Sequence, residues 1–523
     1  MADQKLPADA KAAFIALLAL TAVACILDVG AIGWIVALVC LPLAWFAIFR
    51  APLKHTMLAL TFFALVLENP SENPGNNAWA TPFKMAGAVM LAHLKTVIGG
   101  WMFFSGMDLM LVAAIAVAVM RRHNTRGIGT PRPMIKLAQL TYATIAFTFL
   151  WGKWRGGQSG FAVWQIDRVM YLPAVFLLCQ AAFTSAKDYL SVGKVILAAS
   201  VLRASQAMYV RATVDAKDDP ITGESSMPYT TTHNDSMLFA MGAVILVALV
   251  LQRCGKTATR LTIFLLPILL GGMVANDRRI VWVELILVFG ALYLMTDTNA
   301  FKRKLNKLAL AMVPVVIGYI AVGWNQTGGA FKPVQLIRSA VDSSADTSTA
   351  WRDFENFNLI FTLRNFPLFG VGYGNPFWEM WPMPPVDYSL EKYVPHNSLL
   401  GILCYGGTVG WIGITLMWVG GIFFGIRAYH FCKEPLEKAA ALACFGSVLI
   451  YYFQCFGDMG LGSWTGVYLV GPSLAVACKL AVSSGSWQLT PARKAAAVAG
   501  NASPAGAEAP RAEPFVPPQG AGR

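Results

Sequence analysis

Pro395-His396-Asn397-Ser398 closes a long polar loop and opens a run, Leu399 to Gly425, that holds no charged residue. Proline suits the approach to a helix start. An uncharged run longer than the roughly 17–25 residues of a bilayer crossing reads as a membrane helix. Comparable runs recur along the chain, starting near Ala12, Ala31, Pro52, Met107, Leu137, Val169, Leu190, Ser236, Leu261, Ile280, Leu308, Ser398, Ala439 and Trp464. Hydrocarbon offers no hydrogen bonds, so each run must satisfy its own backbone as a helix. The fold class is therefore all-α: a polytopic integral membrane protein with about 12–14 transmembrane helices.

Composition agrees. Of 523 residues, 56% are hydrophobic and 13% charged. A soluble chain carries about twice that charge fraction. The net charge of +13 would suggest nucleic acid in a soluble protein. Here the basic residues gather in short loops, as the positive-inside rule requires, so no nucleic-acid partner is expected. The clusters are Arg121, Arg122, Arg126 and Arg132; Arg253, Lys256 and Arg260; Lys302, Arg303, Lys304 and Lys307; and Arg427, Lys433 and Lys438. Placed together in the cytoplasm, they pair the intervening helices without conflict and put both termini inside. The first run lacks a small-residue cleavage site and reads as a retained helix. None of the nine cysteines forms a CxxC pair, and most lie within apolar runs as small hydrophobes.

Residues 1–482 form one transmembrane domain, with a long outward loop over 325–397. Loops of that length are usually functional. The segment from Lys84 to Phe104 carries His93 and Lys95 and reads as interfacial or re-entrant. The tail, 483–523, is rich in Ala, Pro and Gly and reads as disordered and cytoplasmic.

Several polar residues fall on the outward side. Arg278 and Arg279 occupy a short turn where cations oppose the topology bias. Such charges tend to be functional, and a guanidinium fork matches phosphate oxygens. Neutralisation by Asp277 or Glu284 is the alternative. Arg203 and Arg211 lie near the outer end of another helix, where a continued helix would show both on one face; snorkelling explains them equally well. His396 could accept a proton from an attacking hydroxyl, or simply cap the helix that follows. The loop's Trp324, Trp351, Trp378, Trp381, Tyr373, Tyr388 and Tyr393 suit sugar faces or an interfacial belt. Val371-Gly372-Tyr373-Gly374 echoes a potassium-channel filter, but Pro382 to Pro385 follow where a spanning helix should. No metal-ligand spacing and no phosphate-binding glycine loop occurs, so neither metal nor cofactor is expected.

His396-Asn397, nine intervening residues, then Gly407-Thr408-Val409-Gly410 resembles the signature of the bacterial O-antigen ligase/polymerase family. Trp351-Arg352-Asp353 leading into Asn365-Phe366-Pro367-Leu368-Phe369-Gly370-Val371-Gly372 is similar to that family's approach to its histidine. The Arg278-Arg279 turn looks like its arginine position. The resemblance covers about 274–425.

It implies a multi-pass enzyme of the bacterial inner membrane with its site facing the periplasm. The implied donor is a glycan on undecaprenyl diphosphate; the acceptor is another such glycan, giving polymerisation, or lipid A core, giving ligation. Carried over residue by residue, His396 is the base and Arg279 or Arg278 holds the diphosphate. Arg203 or Arg211 would be a second clamp, with Asn397, Arg352, Gly407 and Gly410 in support. Reaction by single displacement would invert the anomeric centre. A transporter or flippase for lipid-linked sugars is the competing class, with Asp108, Lys194 and Glu284 as pathway charges.

Overall fold

A computed structural model of the chain describes residues 6–27, 30–67, 104–121, 127–185, 187–213, 231–298, 300–326, 347–383 and 390–489, with isolated positions between them. The Lys84–Phe104 segment lies almost wholly outside the described residues. So do Arg122, Arg126, Tyr388 and the tail from residue 490 onward.

Every apolar run read from the sequence falls within a helix. The helices are α1 (Ala8–Leu27), α2 (Gly30–Arg50), α3 (Leu53–Leu67), α4 (Gly106–Met120), α5 (Arg132–Trp154), α6 (Ser159–Ala182), α7 (Asp188–Thr213) and α8 (Asp235–Leu251). They continue as α9 (Lys256–Asn276), α10 (Ile280–Met295), α11 (Ala300–Gly323), α12 (Thr347–Asn365), α13 (Ser398–Phe431), α14 (Pro435–Gly457) and α15 (Trp464–Ser483). Among the described residues, seven helices are long and apolar enough to cross a membrane, and shorter apolar helices accompany them. The protein is a polytopic helical membrane protein.

Short connections make successive helices antiparallel, so the basic loops collect at one end of the bundle. There Arg121 donates to the carbonyls of Ala51 (2.7 Å) and Phe49 (2.5 Å). Lys54 pairs with Asp188 at 2.8 Å, and Lys302 bonds the carbonyls of Tyr293 (2.6 Å) and Thr296 (2.7 Å). Arg121 and Lys302 thus saturate carbonyls that helix ends leave open. Residues 484–489 turn back at this end: Arg427 grips the Ser486 carbonyl at 2.6 Å, and Trp487 stacks edge-on against Phe424.

Burial tracks position. α15 is buried along almost its whole length and forms the centre of the bundle, whereas α11 faces outward on nearly every side. A helix apolar all round belongs in one of these two places. Of the pathway charges in the transporter reading, one has a local structural role. Asp108 closes a capping box, its Oδ2 accepting the Ser105 N–H at 2.7 Å, as capping boxes do. Lys194 lies at the edge of an apolar cavity between α7, α8 and α14.

The long loop is not loose. Its helix α12 packs beside the start of α13. The next segment, Pro367 to Tyr373, threads into a break in α13. At Gly407 that helix leaves helical geometry with φ +60°. Freed backbone groups find new partners: Val371 N–H on Cys404 O (3.0 Å), Gly372 N–H on Tyr405 O (2.8 Å), and Thr408 N–H on Pro367 O (2.9 Å). A Cβ on Gly407 would lie 2.3 Å from the Leu368 carbonyl carbon and would need a left-handed φ. Only glycine satisfies both demands. Gly410 is under no such constraint: a Cβ there would meet its nearest neighbour, the Ile402 carbonyl oxygen, at an ordinary 3.7 Å. The channel-like tetrapeptide is part of this splice; Tyr373 N–H donates onward to Thr148 O of α5 at 3.2 Å.

Candidate functional site

The end of the bundle opposite the basic loops gathers Trp154, the Arg278-Arg279 turn, the α12 helix, His396 and the α14–α15 connection. Asn397 caps α13, its side chain accepting the Leu400 N–H at 3.1 Å. That cap leaves His396 just outside the helix. Glu355 of α12, fully buried, accepts the His396 backbone N–H at 3.0 and 3.2 Å and faces its Nδ1 at 3.3 Å. Trp351, one turn earlier, meets the imidazole edge-on with ring centres 5.0 Å apart. A carboxylate on Nδ1 fixes the proton there and leaves Nε2 as the acceptor. Nε2 has no partner among the described residues, and the side chain is 26% exposed. This is the arrangement a general base needs.

A second histidine stands nearby, reached through a short chain of contacts. Ser398 Oγ donates to the Asp458 carbonyl (3.3 Å). The Asp458 carboxylate holds His233 Nδ1 at 2.9 Å, and Arg278 meets His233 Nε2 at 2.6 Å. An arginine can only donate, so Nε2 accepts and the imidazole proton sits on Nδ1, given to Asp458. Burial alone would raise the Asp458 carboxyl. The hydrogen bond from His233, together with the charge of Arg352 and the Met459 N–H, outweighs it and holds the group well below the usual carboxylate range. Arg352 thus lies within electrostatic reach of Asp458. Its Nε is buried without a hydrogen-bond partner among the described residues.

The remaining expected site residues separate. Arg279 is exposed and forms the N-cap of α10. Arg203 is fully buried. Its Nε bonds Asp235 Oδ1 at 3.1 Å, and one terminal nitrogen bonds Val66 O (3.2 Å) and Gln206 Oε1 (2.9 Å). A guanidinium so enclosed has no face left for a diphosphate, which corrects its assignment as a second clamp. Arg211, eight residues on, is exposed in the last turn of α7. One arginine is buried and the other exposed, so the two do not share an outward face as the sequence reading required. Glu284 is fully buried with both carboxyl oxygens unbonded among the described residues, so it does not neutralise Arg278.

Sequence reading missed Glu355, His233 and Asp458 as members of the site. Glu355 sits one turn after Trp351 in a motif already singled out, and that spacing places it on the same helix face. Nothing in the sequence joins His233 to Asp458, 225 residues away.

Fold and site together define a helical membrane protein with a histidine–glutamate pair and several guanidinium groups at one end of its bundle. Residues 263–415 match the family model described as O-antigen ligase. This stretch of the chain is similar to the O-antigen ligase/polymerase family, and the match supports a membrane glycan transferase of that general type. The matched segment contains Arg278, Arg279, Arg352, Glu355, His396 and Gly407; Arg203, Arg211, His233 and Asp458 fall outside it. A comparison with curated proteins found no match.

Proposed function

We propose that the protein transfers an oligo- or polysaccharide from undecaprenyl diphosphate to an acceptor glycan on the periplasmic face of the inner membrane, and that it polymerises repeat units of a secreted or surface polysaccharide. The observation that carries this reading is the His396–Glu355 pair with Nε2 left open, a few bonded residues from Arg278 and Arg352. His396 Nε2 takes the proton of the acceptor hydroxyl as that oxygen attacks the anomeric carbon. Glu355 holds the ring and stabilises the imidazolium that forms, as a buried carboxylate does in other histidine-base enzymes.

Breaking the sugar–phosphate bond places negative charge on the diphosphate. Arg278, Arg279 and Arg352 stabilise it as fixed donors. Attack opposite the leaving group inverts the anomeric centre without a covalent intermediate, and the activated lipid supplies the free energy. No metal or cofactor enters this scheme.

Ligation to lipid A core is the second reading, favoured by the description of the matching family model, O-antigen ligase. It uses the same donor and the same base. Reconstitution with a defined undecaprenyl diphosphate glycan and each acceptor in turn separates the two. Growth of lipid-linked chains supports polymerisation. Extension only of lipid A core supports ligation. Absence of any new glycosidic bond overturns both.

A further inference from the structure

A cleft of about 460 Å³, counting its open mouth, runs beside the residues that flank His396. Its wall includes Trp164, Gln165 and Arg168 of α6, Tyr393 and Tyr405, and Ser398 at the start of α13. None of the residues lining it belongs to α9, α10 or α12, the elements that carry or flank Arg278, Arg279 and Arg352. His396 adjoins both regions. Its chain neighbours Pro395 and Ser398 line the cleft, while its ring lies against Trp351 of α12.

The cleft is a built site. Gln165 pins its loop wall, accepting the Gly374 N–H at 2.6 Å and donating to Tyr393 O at 3.0 Å. Tyr393 stacks on Phe161 with ring centres 3.8 Å apart. Arg168 stacks over Trp464 at 4.2 Å and pairs with Asp167. Its side chain is 12% exposed, yet its Nε is buried without a hydrogen-bond partner among the described residues. An orphaned charged donor in an aromatic-walled cleft calls for an acceptor oxygen from a ligand. Trp164, 40% exposed, offers an indole face at the same place.

We propose that this cleft is the acceptor subsite and takes a pyranose ring of the acceptor glycan. The ring stacks on Trp164 and accepts a hydrogen bond from Arg168 through a hydroxyl or carboxylate oxygen. Displacement with inversion requires nucleophile and leaving group on opposite faces of the reacting carbon. The cleft adjoins the residues on either side of the base and is lined by none of the three arginines, as an acceptor subsite should be. The assignment rests on the transferase reading above.

Two measurements on the purified full-length protein test it. The first is binding of a soluble acceptor oligosaccharide, without donor, to wild type, Trp164→Ala and Arg168→Lys; the lysine keeps the charge and removes the Nε donor. The second is transfer kinetics with both substrates varied. We expect each variant to weaken oligosaccharide binding and to raise the acceptor KM by about tenfold, the scale of one good contact, while the donor KM stays unchanged. Binding that depends on Trp164 and Arg168 sustains the subsite even where no transfer occurs, a result that would fail only the transferase reading. Normal transfer with unaltered acceptor KM overturns the subsite and leaves that reading intact. A rise in donor KM instead assigns the cleft to the lipid-linked donor and equally overturns it.

Discussion

His396 and His233 stand at the same end of the bundle, and each faces a buried carboxylate through Nδ1: Glu355 at 3.3 Å and Asp458 at 2.9 Å. They differ in what the other ring nitrogen does. Arg278 occupies Nε2 of His233 at 2.6 Å, whereas His396 Nε2 has no partner among the described residues. One imidazole is left ready to take a proton. The other is consumed in holding a guanidinium. On the proposed reading, a histidine–carboxylate pair serves chemistry in one place and positioning in the other, and the deciding feature is the second nitrogen.

The comparison can be broken by exchanging the losses. His396→Ala should lower transfer by about 10²–10⁴-fold, the range for a general base, with donor binding retained. An alanine enzyme that still makes near-normal product would show that His396 serves only the local structure of the loop. Removing a clamp comes next. Arg278→Ala or Arg352→Ala should cost on the order of 3 kcal/mol, or 10²–10³ in rate, read as a fall in kcat in reconstituted vesicles. A parallel Arg203→Ala should instead abolish folded yield, because it leaves Asp235 buried and unpaired.

Smaller effects sharpen the contrast. Glu355→Gln keeps an acceptor oxygen but loses the charge opposite the imidazolium, so kcat should fall by about tenfold or more with little change in either KM. His233→Ala should act on the donor, raising its KM by about tenfold through a mobile Arg278, with little change in kcat. An equal loss of kcat in both histidine variants would erase the distinction between them.

The weakest effect concerns stability. Asp458 is held below the ordinary aspartate value of about 4. Its contribution is therefore present above that pH and is lost only as pH falls through the lower folded value. Asp458→Asn should lower the melting temperature at pH 7, with the gap to wild type narrowing below about pH 4. A gap that widens on acidification would contradict the depressed carboxyl.

Much of this was legible in the sequence because hydrocarbon is an exacting solvent. A run such as Leu399–Gly425 has no structure open to it but a helix, so the bundle and its antiparallel order follow. His396 and Gly407 were legible as a motif, and the structure supplies the reason for the glycine: only a residue without Cβ allows Leu368 to cross a helix broken at φ +60°. Partnerships were not legible. Glu355 reaches His396 across 41 residues and Asp235 reaches Arg203 across 32, and no local rule anticipates either. Arg203 misled for a simpler reason. Its spacing from Arg211 suggested a shared outward face, but Arg203 turns inward to pair with the buried Asp235.

The most direct test is a structure of the protein with an undecaprenyl diphosphate glycan bound. The diphosphate is expected against Arg278 and Arg352, with the anomeric carbon between them and His396 Nε2. A diphosphate seated elsewhere, at the basic end of the bundle or out of reach of His396, would contradict the assignment of base and clamp.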